Sequence, residues 1–186
     1  GSRLQGHPER EKLPGIETTS GPLGSGLGQA CGIAYGARMD GKKFRTYCFM
    51  SDGEHDTGNL WESVMFAGKN KLSNLTGLID RNNIQIDGMT ETIMPLEPLK
   101  DKYEAFGWHV LETDGHDFEQ IVSAVEEAKA IYEKPTVIIS HNIPGKGVAE
   151  MEFDYLWHGK PPKPEEGKKF LEELRTLGGK IQSEHQ

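Results

Sequence analysis

The sequence predicts an α/β domain, a mostly parallel sheet flanked by helices on both faces. Two observations carry that expectation. Four short apolar runs of strand length, 46–50, 75–79, 108–112 and 136–139, alternate with segments of helical character, and such alternation marks parallel β-α-β units. The runs also end in a similar way, at Ser51-Asp52-Gly53, Asp80-Arg81-Asn82-Asn83, Thr113-Asp114-Gly115 and Ser140-His141. Parallel strands bring Asp52, Asn82, Asp114 and His141 to one rim, the side on which such sheets bind ligands.

Residues 1–20 are polar, with Pro8, Pro14 and Gly15 breaking any helix. Leu23–Met39 is small and apolar throughout and reads as a buried helix, with Thr18, Thr19 and Ser20 as capping hydroxyls and Pro22 suited to its first turn. After the first strand, a helix over about 58–70 places Leu60, Val64 and Ala67 on one face, with Trp61 and Met65 beside them. Glu97–Phe106 is a further helix. Asp117 then opens a helix over Phe118–Tyr132, whose apolar residues at 118, 121, 122, 125, 128 and 131 keep helical spacing. A long loop, 142–163, follows the last strand, and Pro164–Leu177 is a charged amphipathic helix ahead of a short acidic tail.

Composition excludes several classes. A net charge of −8 without a basic stripe speaks against a nucleic-acid partner. No run approaches the ~20 apolar residues that cross a bilayer, and the first residues hold no apolar core of a signal peptide. Cys31 and Cys48 sit in apolar segments without metal-ligand spacing, as buried free thiols of a reducing, cytoplasmic compartment. The chain opens without methionine and in a loop, which reads as a fragment or a processed piece.

The rim carries the chemistry. A carboxylate, a side-chain amide and a backbone carbonyl are hard oxygen donors that suit Mg²⁺ when phosphate oxygens complete the octahedron. Gly53 after Asp52 lets backbone approach a phosphate closely. Asp and Asn also cap turns as a matter of course, so on spacing alone Asp52 and Asn82 admit either role.

Four blocks of sequence go further. Gly6-His7-Pro8-Glu9 is followed by Leu13-Pro14-Gly15, then Thr19-Ser20-Gly21-Pro22-Leu23-Gly24. Ser51-Asp52-Gly53 leads to Asp80-Arg81-Asn82-Asn83, and Gly145-Lys146-Gly147 to Trp157-His158-Gly159. In that order they resemble the amino-terminal, diphosphate-binding section of transketolases, and the likeness spans most of the chain. It implies the thiamine-diphosphate-binding fold, with residues 1–186 as a single domain short of its N-terminal portion. It also implies a Mg²⁺ ion (or another divalent cation) held by Asp52, Asn82 and the Ile84 carbonyl. Gly53 N–H would meet the cofactor's diphosphate, and Gly21, Pro22 and Leu23 would line the thiazolium. His158 would reach the diphosphate and the reacting sugar, and His7 would bond sugar hydroxyls.

Other polar residues attract plainer readings. His55 is expected at the surface, Lys146 is expected to brace its loop, and His116 and His141 are given no chemistry. Glu62 is expected at an interface with another protomer. Two positions depart from the family's pattern: Ser51 replaces the first glycine of the thiamine motif, and Thr57 replaces an interface glutamate.

The resemblance implies transfer of a two-carbon ketol unit from a ketose phosphate to an aldose phosphate, in the pentose phosphate pathway. The glutamate that activates the cofactor belongs to a pyrimidine-binding domain with no counterpart in this chain. A partner carrying that C-terminal section, in a homo- or hetero-oligomer, is therefore expected, with little turnover by this chain alone. The alternatives are another thiamine-diphosphate enzyme, related to deoxyxylulose-phosphate synthase or to the α-chain of a 2-oxoacid dehydrogenase, and a non-catalytic relative that keeps the fold.

Overall fold

A computed structural model describes residues 3–176. The elements run α1 (Ser25–Met39), β1 (Thr46–Ser51), a 3-10 turn (Gly53–Asp56), α2 (Gly58–Lys69), β2 (Leu75–Arg81), β3 (Ile84–Gln85) and β4 (Gly88–Met89). They continue as α3 (Thr90–Ile93), α4 (Leu99–Ala105), β5 (His109–Asp114), α5 (Phe118–Ala130), β6 (Thr136–His141), a 3-10 turn (Tyr155–Trp157) and α6 (Pro164–Thr176). Leu177, the predicted end of the last helix, and the acidic tail lie outside the described residues.

The main sheet is parallel throughout, in the order β1-β2-β6-β5. Its register pairs Ser51 with Asp80, Arg81 with His141, and Asp114 with His141. The predicted rim is therefore real. Each strand runs a residue or two beyond its apolar run, and the added residues (Ser51, Asp80 and Arg81, Thr113 and Asp114, Ser140 and His141) are polar.

Alternation along the strands separates two layers. Cys48, Met50, Leu75, Ile79, Val137 and Ile139 pack with α1, α2 and α4 through Leu27, Leu60, Val64, Leu99 and Tyr103. On the opposite face Ile138 meets Ala124 and Ala128 of α5. In α2 the predicted stripe of Leu60, Val64 and Ala67 is fully buried, whereas Met65 is 53% exposed. Complete burial of a Leu or Val side chain contributes roughly 1.5–3 kcal/mol, so this stripe fixes α2 on the sheet. α5 departs from its predicted apolar face. Ala124 and Ala128 are inside, against β5 and β6, while Phe118 and Val122 stand exposed. Asp117 caps it as predicted, accepting from the N–H groups of Glu119 and Gln120.

α1 begins two residues later than predicted. Gly24, at φ 74°, is left-handed and halts the helix, and a Cβ there would strike Thr57 Oγ1 and Asn59 Oδ1. No side-chain hydroxyl caps the helix. The Ser25 hydroxyl instead donates to the Pro22 carbonyl at 2.7 Å, leaving Pro22 outside the first turn. Among the described residues no helix is long and apolar enough to cross a membrane.

Candidate functional site

Asp52 follows directly on β1 and is fully buried. Its Oδ2 accepts from Arg81 Nη1 (2.9 Å), the Asn83 N–H (2.7 Å) and Thr90 Oγ1 (3.4 Å), and its Oδ1 from the Gly53 N–H (2.7 Å). Burial pushes this carboxyl above the usual carboxylate range, although Arg81 and the backbone donors pull it down.

Ser51 and Glu54 form a reciprocal capping box. The Glu54 N–H donates to Ser51 Oγ, and the Ser51 N–H donates to Glu54 Oε1, both at 3.1 Å. Glu54 Oε2 accepts the Gly24 N–H at 3.0 Å, tying the loop before α1 to the turn after β1. Thr57 Oγ1 donates to the Glu54 carbonyl at 2.7 Å. Ser51 and Thr57 are therefore both built into this turn. Pro22 and Leu23 lie exposed in the tied loop. His7 reaches the same loop, its ring 3.9 Å from where a Gly21 Cβ would sit, and the Ser20 N–H donates to the Pro8 carbonyl.

Beyond β2, Asn82 is oriented by its neighbours. Its Nδ2 donates to Asp80 Oδ2 (2.8 Å), and Asp80 Oδ1 receives Asn142 Nδ2 (2.5 Å), while Asn82 Oδ1 accepts the Ile84 N–H (3.1 Å). A Cβ on Gly53 would lie 3.9 Å from the Ile84 carbonyl oxygen and meet Gln85 Cβ at 3.0 Å. That spacing sets Ile84 beside the Asp52-Gly53 turn. Among the described residues no group of three or more His, Cys, Asp or Glu side chains converges as a metal site. The donors here are one desolvated carboxylate and neutral oxygens, a set that fits a hard divalent cation sharing its shell with ligand oxygens.

His55 corrects an expectation. It is 2% exposed, with Nδ1 donating to the Ser51 carbonyl and Nε2 accepting from Tyr103 Oη, both at 2.8 Å. The turn after Asp52 folds inward and places the ring edge-on to Trp61 and Tyr103. Burial lowers its pKa from 6.5 to about 4. His158 is exposed just after the Tyr155–Trp157 turn, which packs near β4. Trp157 stands edge-on to Phe170 of α6, and Lys160 Nζ lies 4.0 Å from its ring centroid. His116 Nε2 accepts the Ile143 N–H at 2.8 Å and pins the start of the long loop, where the Lys146 N–H closes a turn on the Ile143 carbonyl. His141 pairs with Glu112, and Glu62 is exposed.

Sequence reasoning passed over Arg81, Glu54, Glu91 and Glu97. The Ser51-x-x-Glu54 spacing is a legible capping signal. Nothing local announces that Arg81 would meet Glu91 and Glu97.

The fold and the rim define a cofactor-binding α/β domain, and comparison with known proteins gives the cofactor. A family model described as "Transketolase, thiamine diphosphate binding domain" matches residues 1–177. The chain belongs to the transketolase family, through its thiamine diphosphate binding domain. It is 40% identical over 185 residues to an apulose-4-phosphate transketolase subunit of Phocaeicola vulgatus, covering 100% of this chain and 66% of that relative. It is 42% identical over 178 residues to the 6-deoxy-6-sulfo-D-fructose transketolase subunit SqwG of a Clostridium species, covering 96% and 65%. The crystal structure of transketolase from Campylobacter jejuni superposes with a TM-score of 0.83 at 32% identity, over 96% of this chain and 28% of that one. The chain thus spans slightly less than two thirds of these two curated relatives.

Proposed function

We propose that this chain is the diphosphate-binding half of a transketolase-type transferase, active with a partner section that carries the pyrimidine-binding domain. What supports this reading is the approach of the Ile84 carbonyl to Gly53, directly after the buried Asp52, with the Asn83 N–H on Asp52 and the Gly24 N–H tied to the same turn by Glu54. Two relatives named as transketolase subunits support a separate partner chain. Residues 1–186 act as one domain in this proposal, in the cytoplasm, within a homo- or hetero-oligomer.

Asp52 Oδ1, Asn82 Oδ1 and the Ile84 carbonyl would hold Mg²⁺ or another divalent cation. Gly53 N–H, which here donates to Asp52 Oδ1, would turn to the diphosphate. Gly21, Pro22 and Leu23 would flank the thiazolium. When bound, thiamine diphosphate supplies the carbon chemistry that moves a two-carbon ketol unit from a ketose phosphate to an aldose phosphate, as in the pentose phosphate pathway. His7, exposed beside Gly21, and His158 would orient sugar hydroxyls and diphosphate through imidazole N–H donors.

Calorimetric titration of thiamine diphosphate with Mg²⁺ into the chain and its partner tests the reading. Asp52→Ala and Asn82→Ala should each abolish measurable binding. Unchanged binding in both variants would overturn the assignment of the cradle.

A further inference from the structure

We propose that Arg81 is a positioning residue that makes Asp52 a one-oxygen ligand, and so biases the cation site toward small octahedral Mg²⁺ over Ca²⁺. The proposal rests on the reading that Asp52 holds the cofactor's cation. Arg81 ends β2 with its side chain 3% exposed. Nη1 donates to Asp52 Oδ2 at 2.9 Å, while Nη2 donates to Glu91 Oε1 at 2.6 Å and Glu97 Oε1 at 3.0 Å. The two glutamates are themselves anchored. Glu91 Oε1 accepts the Leu96 N–H at 3.2 Å, and Glu97 Oε2 accepts the Leu99 N–H at 2.9 Å. A planar guanidinium held at both ends by carboxylates has little freedom to swing.

The consequence falls on Asp52. Arg81, the Asn83 N–H and Thr90 Oγ1 all lie on Oδ2, whereas Oδ1 accepts the Gly53 N–H, the donor that would turn to the diphosphate, so Oδ1 is the oxygen a cation would use. Mg²⁺ demands near-octahedral geometry, which a single carboxylate oxygen suits, whereas Ca²⁺ takes more oxygens and accepts both of a carboxylate. Through Arg81, Glu91 and Glu97 thereby link the strand-end cradle to the 91–99 segment.

The test measures thiamine diphosphate affinity by calorimetry in Mg²⁺ and in Ca²⁺, using the intact protein with its partner. Parent, Arg81→Met, Arg81→Lys and the Glu91→Gln/Glu97→Gln double variant are compared, each checked for folding by circular dichroism. Loss of a partner behind a metal ligand costs ~10–100-fold in affinity. In Arg81→Met the preference for Mg²⁺ over Ca²⁺ should therefore fall about tenfold, with the double variant and Arg81→Lys intermediate. A merely structural role would weaken both cations alike, and an unchanged ratio in the folded variants would overturn the proposal while leaving the cofactor site standing. If Arg81→Met does not fold, the double variant decides, since it keeps the arginine and releases only its anchor. A parent protein that binds thiamine diphosphate with neither cation would defeat both this inference and the functional reading beneath it.

Discussion

Acidification should destabilise this domain through His55, and the size of the effect follows from the ring's surroundings. The ring is 2% exposed, donates from Nδ1 to the Ser51 carbonyl and accepts at Nε2 from Tyr103, so the neutral form is the one that fits. Burial carries its pKa from 6.5 down to about 4. Between those values the unfolded chain binds a proton that the folded one refuses. His55 therefore contributes stability that is fully present above 6.5 and lost as the pH falls toward 4. The loss amounts to about 3 kcal/mol at the acidic end, taking 1.36 kcal/mol per pH unit.

Two neighbours act in the opposite sense. Asp52 and Glu54 have carboxyls raised by burial, and each contributes stability that is present at low pH and lost as the pH rises through its folded value. The raw pH profile is thus a composite, and the informative quantity is the gap between the parent and His55→Gln. Urea unfolding with a chelator present, across the window from 6.5 to about 4, gives that gap. The variant should be the less stable protein at neutral pH, and the two curves should converge on acidification by about 3 kcal/mol. A gap that stays constant through the window would refute the buried, neutral ring.

Ser51→Ala removes the hydroxyl half of the capping box with Glu54 and should cost about 1 kcal/mol in urea unfolding, whereas Ser51→Gly should cost only a few tenths; equal, negligible losses would mean the box does not hold the turn. Cys31 and Cys48 are free and buried, their thiols pushed by burial up to about 11 and about 12. Because the thiolate is the nucleophile, an aromatic disulfide reagent should label neither in the native protein and both in urea. Fast native labelling would contradict the packing of α1 on β1.

The fold was legible because it rests on alternation. Apolar runs of strand length separated by helical patterns specify a parallel sheet, and the order of the polar ends specifies the rim. The strands outrun their apolar patterns for a physical reason. Ser51, Asp80, Arg81, Thr113, Asp114, Ser140 and His141 continue the ladder but are polar, so a hydrophobic pattern stops before them. His55 failed differently. A polar residue in a Gly-Glu-His-Asp turn looks solvated, and only the approach of Tyr103, 48 positions later, supplies the partner that lets the ring be buried. The same distance effect hid the Arg81 cluster. Its carboxylates lie ten and sixteen residues downstream, at no helical or strand spacing. Long-range polar pairs of this kind leave no periodic trace.

Those unread residues change how the cradle is understood. Glu54 gives one carboxylate oxygen to the turn after β1 and the other to the loop before α1, 30 residues upstream. Arg81 fixes the remaining side of Asp52 and holds the segment after β4. Asp80 orients the Asn82 amide and is in turn held by Asn142 from the end of β6. Each proposed ligand side chain is thus braced by a neighbour that does not itself face the ligand, and the bracing spans the loop before α1 and the ends of β1, β2 and β6. A site whose donors are fixed before the ligand arrives loses less freedom on binding. Ser51 belongs to that scheme. Its hydroxyl accepts the Glu54 N–H and so stiffens the turn that carries Asp52.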